Sequence, residues 1–109
     1  MLTAGDLVRA PERHDGARVV LVGQVQLLRA RLSTGEAAYT SFVLADGSGH
    51  VPVFGWGTLS IDQGDLVEVR GVFHASRQLG AETVRNTVEA AFVRRLRKAE
   101  QLPGPSGPP

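Results

Sequence analysis

Apolar and polar residues alternate most clearly between Tyr39 and Trp56, YTSFVLADGSGHVPVFGW. Two short runs flank the turn-forming Asp46-Gly47-Ser48-Gly49, which together predict a β-hairpin. One register places Phe42 and Leu44 beside Val51 and Val53, a row suited to a core. The other carries Tyr39, Ser41, His50, Phe54 and Trp56. Successive strand residues point to opposite faces, so the two sets lie on opposite sides of the sheet. Three of the chain's six aromatic residues are thereby assigned to an outward face. Pro52 cannot donate to a ladder and must fall at an edge or at a gap in the pairing.

The remaining pattern supplies four more elements. Thr3 and Asp6 form a [ST]-x-x-[DE] capping box for a short helix that Pro11 ends. Asp15-Gly16 makes a turn. Ala17 to Leu28 reads as a long strand with Val19, Leu21, Val25 and Leu27 on one register, and with Gly23 where a bulge or bend is cheap. Arg29 to Ala38 is a polar loop. Gly57 to Gly64 is a connection with room for one helical turn at most. Asp65 to His74 is a strand with Val67, Val69 and Phe73 on one register and Gly71 at a bend. Ser76 to Gly80 is a loop, and a last strand runs from Thr83 towards Phe92. Phe92, Leu96 and Ala99 also fit helical spacing, so the pattern admits a basic C-terminal helix from near Ala90. Pro103 to Pro109 contains only Pro, Gly and Ser and is expected to be disordered.

Composition changes this picture little. At 109 residues, with 42% apolar and 21% charged, the chain is expected to be one domain over residues 1–101, followed by a tail over 102–109. The longest aliphatic run, Val19 to Val22, is far short of the roughly 20 residues that a membrane helix needs. The sequence from Met1 to Glu12 shows no signal-peptide pattern, which makes the cytoplasm the expected location. With no cysteine, disulfides and thiolate zinc sites are excluded. The net charge of +1 is unevenly spread. Residues 1–84 carry seven basic and nine acidic side chains, net −2, and residues 85–109 carry five and two, net +3. An anionic partner would be drawn towards the last strand.

Five strands, two of them with a central glycine, suggest a small closed barrel. Three segments carry a resemblance: Gly16-Ala-Arg-Val-Val-Leu-Val-Gly23, Phe42-Val-Leu-Ala-Asp46-Gly-Ser-Gly49-His-Val-Pro-Val53, and Gly64-Asp-Leu-Val-Glu-Val-Arg-Gly71. They resemble the OB-fold, and most of all its anticodon-binding-type nucleic-acid-binding branch, over about residues 16–93. The resemblance implies an all-β, five-stranded Greek-key barrel with a short N-terminal helix. Gly57 to Gly64 departs from the pattern, being too short for the helix that usually links the third and fourth strands; the N-terminal helix would plug that end instead.

Catalytic chemistry is not visible. His14, His50 and His74 are far apart, and no two metal ligands stand at i, i+4. Gly47-Ser48-Gly49 falls on a hairpin turn and not on a strand-to-helix elbow. Asp46, Asp62 and Asp65 read as turn formers. The chain is therefore expected to be a non-enzymatic binding module without a cofactor. By the resemblance, Tyr39, Phe54 and Trp56 map onto the ligand face of the second and third strands, flanked by Arg29 and Arg31 in one loop and Arg77 in the other, with Arg85 nearby. Aromatic faces stack bases and arginines hold phosphates, so single-stranded DNA or RNA is the expected partner. The competing readings are Trp56 and Phe54 packed under the N-terminal helix, solvated arginines, and an adaptor or homodimer that docks protein instead of nucleic acid.

Overall fold

A computed structural model describes residues 2–32 and 37–99. Helix α1 (Ala4–Arg9) and the single turn α2 (Pro11–His14) precede five strands: β1 (Arg18–Leu32), β2 (Ala38–Ala45), β3 (His50–Trp56), β4 (Leu66–Leu79) and β5 (Glu82–Arg97). The strands close on themselves in the order β1-β2-β3-β5-β4. All neighbours are antiparallel except β3 and β5, whose parallel pairing at Val53–Val88 and Phe54–Glu89 shuts the ring. Closure leaves no sheet edge around the ring to be covered.

The interior follows from the alternation. Val19, Leu21, Val25, Phe42, Leu44, Val51, Val53, Val67, Val69, Phe73 and Val88 are all buried, and Ala4 and Leu7 of α1 join the same cluster. Helix α1 is thus the plug at one end. Its capping box is formed by Thr3 and Asp6. Further amides at its start are satisfied by the β2–β3 turn, where Asp46 Oδ2 accepts from Ala4 N at 2.8 Å and Ser48 Oγ from Gly5 N at 2.9 Å. The turn expected from Asp46 to Gly49 therefore also docks the helix.

Two expected loops are strands. β1 continues through Arg29 to Leu32, and β4 continues past His74 to Leu79, so β1–β2 and β4–β5 are long hairpins. The second turns on two residues, Gly80 and Ala81. These arms are largely exposed and polar, so they lack the hydrophobic alternation that marks a strand. The last strand resolves the other way from its helical alternative: Ala90 to Arg97 is extended and paired with β4. The expected disordered tail lies outside the described residues.

Pro52 sits where its missing N–H is harmless. Its carbonyl faces β5, accepting from Thr87 Oγ1, and the β3–β5 ladder covers only the next two residues. Gly71 is compelled by close approach, because a Cβ there would run into the carbonyl oxygen of Glu89. Gly23 is not a bulge. It pairs regularly with Val67, and a Cβ would come within 2.5 Å of the Ala45 carbonyl oxygen. The bulge in β1 falls four residues later. Gln26 opposes Val43 and Arg29 opposes Ser41, so Leu27 and Leu28 share the place opposite Phe42. This shift turns Leu28 towards the core and sends Leu27 outward, contrary to the register expected for it.

The acidic turn residues do more than turn. Asp65 is 1% exposed, and it accepts from Asp62 N, Arg95 Nε and Ala99 N, tying the end of β5 to the start of β4. Burial raises its pKa, but these donors outweigh burial and hold the carboxyl below its ordinary value.

Candidate functional site

The outward faces of β2 and β3 form the floor of a groove of about 390 Å³. Direct pairing puts Tyr39 beside Trp56, Ser41 beside Phe54 and Val43 beside Pro52 on this face. One wall is the β1 arm, with Leu27, Arg29 and Arg31; the other is the β4–β5 arm, with Leu79, Glu82 and Val84. Residues opposite one another in an antiparallel pair share a face, so Leu79 and Glu82, and Arg77 and Val84, look towards β2–β3.

The three aromatics meet but are not equally available. Tyr39, Phe54 and Trp56 pack edge to face, with centroids 5.8–6.2 Å apart. Phe54 is 2% exposed and Tyr39 6%, both in a second apolar cluster with Leu79 and against Val84. Trp56 is 42% exposed. The expected open platform of three rings thus reduces to one. The cover comes from the β4–β5 arm and not from α1. Tyr39 and Phe54 support Trp56, which stands beside the groove with its indole edge held in place.

Glu89 does the holding. From β5, its Oε2 accepts from Trp56 Nε1 at 3.2 Å and its Oε1 from Arg77 Nε at 3.1 Å, with His74 Nε2 also 3.1 Å away. Burial raises the carboxyl's pKa, but the bonds from Arg77 and Trp56 reverse this and hold it below the ordinary value of 4.5. Glu89 ties up one guanidinium nitrogen of Arg77 and neutralises its charge. Arg77 therefore lies next to Trp56 as half of an ion pair, not as an open phosphate contact.

Of the other cations, Arg29 and Arg31 line the groove as expected. Arg31 donates to Ser41 Oγ at 3.2 Å, and Arg29 makes no ion pair among the described residues. Arg85 is exposed on the far side of the β4–β5 arm. It opposes Ser76, one step out of register with the groove-facing pair Arg77–Val84, and so does not join the site. Two arginines of the basic end serve the structure: Arg94 pairs, together with Arg70 of β4, with Glu68, and Arg95 pairs with Asp62 and Asp65. The charge of Arg94 and Arg95 is thus engaged within the fold. No cluster of three His, Asp or Glu that could hold a metal occurs among the described residues.

Sequence reasoning missed the apolar residues on the walls of the groove. Leu79 and Val84 flank Gly80, a weak hairpin signal, whereas Leu27 left none, because a bulge is invisible to a period of two.

No family model matches the chain, and no curated protein does. Solved structures do. Two crystal forms of the mitochondrial single-stranded DNA binding protein Rim1 from S. cerevisiae align with TM-scores of 0.59 and 0.55, at 15% and 13% identity. Each alignment covers 77% of this chain, with 99% and 98% of the other. The likeness agrees with the ring topology in assigning the chain an OB-fold.

Proposed function

We propose that the protein is a non-catalytic binding module for single-stranded DNA. The observation that carries the reading is the groove itself: a β2–β3 floor between two arms, two arginines on one wall and a half-exposed tryptophan beside it. That is the place where OB-folds take oligonucleotides. The structurally similar yeast protein Rim1 is a single-stranded DNA binding protein. Trp56 would stack one base, worth about 1–3 kcal/mol, and Arg29 and Arg31 would contact the backbone. Tyr39 and Phe54 contribute by supporting Trp56.

The affinity should be modest, since one stack falls well short of the roughly 8 kcal/mol that micromolar binding requires. Two phosphate contacts would give a salt slope of about −1.4. The chain has one tryptophan, so its emission reports the site directly. Titration with an oligothymidylate at low salt should quench it, and replacing Arg29 by Ala should flatten the salt dependence. Unchanged emission at tens of micromolar oligonucleotide would overturn the proposal. Competition by an RNA oligomer of matching sequence addresses the choice of nucleic acid.

A second reading, a protein-docking or self-associating domain, draws on a different face. Val20, Arg70 and Phe92 stand side by side on the outside of β1, β4 and β5, with Val22 next to them. Val20, Val22 and Phe92 are 44–47% exposed. Light scattering on the wild type and on Phe92→Ser separates this reading from the first, because Phe92 does not line the groove.

A further inference from the structure

We infer that Leu27 is a ligand-contacting residue of the groove, an apolar surface on which a base or deoxyribose of single-stranded DNA packs. The inference rests on the groove's being an oligonucleotide site. Leu27 combines two unfavourable features. Its φ is 53°, in the left-handed region, where a Cβ clashes and Gly or Asn is normally found. Its side chain is also 61% exposed, and it lines the groove on the same wall as Arg29 and Arg31.

Folding alone does not call for this arrangement. The bulge serves to bring Leu28 inward, where Leu28 packs against the core and its N–H bonds to Gln63 Oε1 at 3.0 Å. Gly would make the same bulge without the clash and Asn at a smaller cost, through local hydrogen bonds of its side chain, and neither would place an isobutyl group in water. The strain and the exposure are both accounted for if a ligand covers Leu27. The neighbouring chemistry says what kind: Arg29 and Arg31 select an anionic backbone, and the exposed Pro52 on the floor an apolar ring.

The test compares wild type, Leu27→Asn and Leu27→Met by thermal melting and by anisotropy of a labelled oligothymidylate. Asparagine lessens the cost of the left-handed conformation, so its Tm should equal or exceed that of the wild type, while the affinity falls about tenfold. Methionine keeps the apolar reach and should bind within about threefold of wild type. If L27N binds as tightly as a wild type that does bind, Leu27 does not touch the ligand and this inference alone fails. A Tm for L27N clearly below the wild type makes Leu27 a packing residue and overturns it as well. A wild type that binds no oligonucleotide overturns both this inference and the proposed function.

Discussion

Phe54 and Trp56 lie two residues apart on the same face of β3, in contact at 5.9 Å, yet they should behave oppositely on substitution. Phe54 is 2% exposed. Replacing it with Leu removes about three carbons from a packed site, a loss of roughly 2–3 kcal/mol at about 0.8 kcal/mol per methylene plus a small cavity. Against a total stability of about 5–15 kcal/mol the variant stays folded, with Tm lowered by roughly 10 °C or somewhat more. Its affinity for oligothymidylate should stay within about twofold of wild type, since the ring offers no face to a base. Trp56→Ala removes a half-exposed ring and the proposed stack, weakening binding by roughly 5- to 150-fold. Anisotropy of a labelled oligonucleotide measures both variants at a temperature where circular dichroism shows each folded. Equal weakening by F54L and W56A would mean that Phe54 meets the ligand. The β4–β5 arm would then have to open, and the argument from burial would be wrong.

Glu89→Gln keeps an acceptor for Trp56 Nε1 but frees the charge of Arg77, so low-salt affinity should rise a few-fold and the salt slope steepen by about 0.7; an unchanged slope counts against the neutralising role of Glu89. Gly71→Ala forces a methyl group onto the Glu89 backbone and should cost about 3 kcal/mol or more, lowering Tm by more than 10 °C in a calorimetric scan; a near-native Tm would contradict the tight β4–β5 crossing. Asp65, Glu68 and Glu89 titrate in the folded protein below their ordinary values of 3.8, 4.5 and 4.5. In acid the unfolded chain takes up these protons first, so their stabilisation is complete above about pH 5 and is lost as pH falls through the lower folded values. Tm measured from pH 7 down to 2.5 should be steady to about pH 5 and then drop, and Asp65→Asn should make the drop shallower; a Tm that holds to pH 3 would refute the role of these carboxylates.

The inner face of this protein was legible in its sequence. Phe42, Leu44, Val51 and Val53 point inward because the side-chain period of a strand is two, a local property that a run of four or five residues suffices to display. The capping box at Thr3 and Asp6 and the turn at Asp46 are local in the same sense. Five strands, two of them with a central glycine, were enough to suggest ring closure, and the resemblance to the OB-fold carried the topology.

The outer face was decided by tertiary structure. Alternation tells which side Tyr39, Phe54 and Trp56 occupy, but not what covers that side. The cover is the β4–β5 arm, and its reach to Leu79 and Val84 depends on hydrogen bonding between polar, exposed residues that carry no hydrophobic signal. The same holds for charge. Arg77, Arg94 and Arg95 look alike in sequence to Arg29, and only pairing with Glu89, Glu68 and Asp65, residues 12 to 30 positions away, separates spent cations from available ones. Leu27 is the sharpest case. A single extra residue in β1 reverses the alternation downstream, moving one leucine from core to groove, and nothing within the strand itself announces where that residue is inserted.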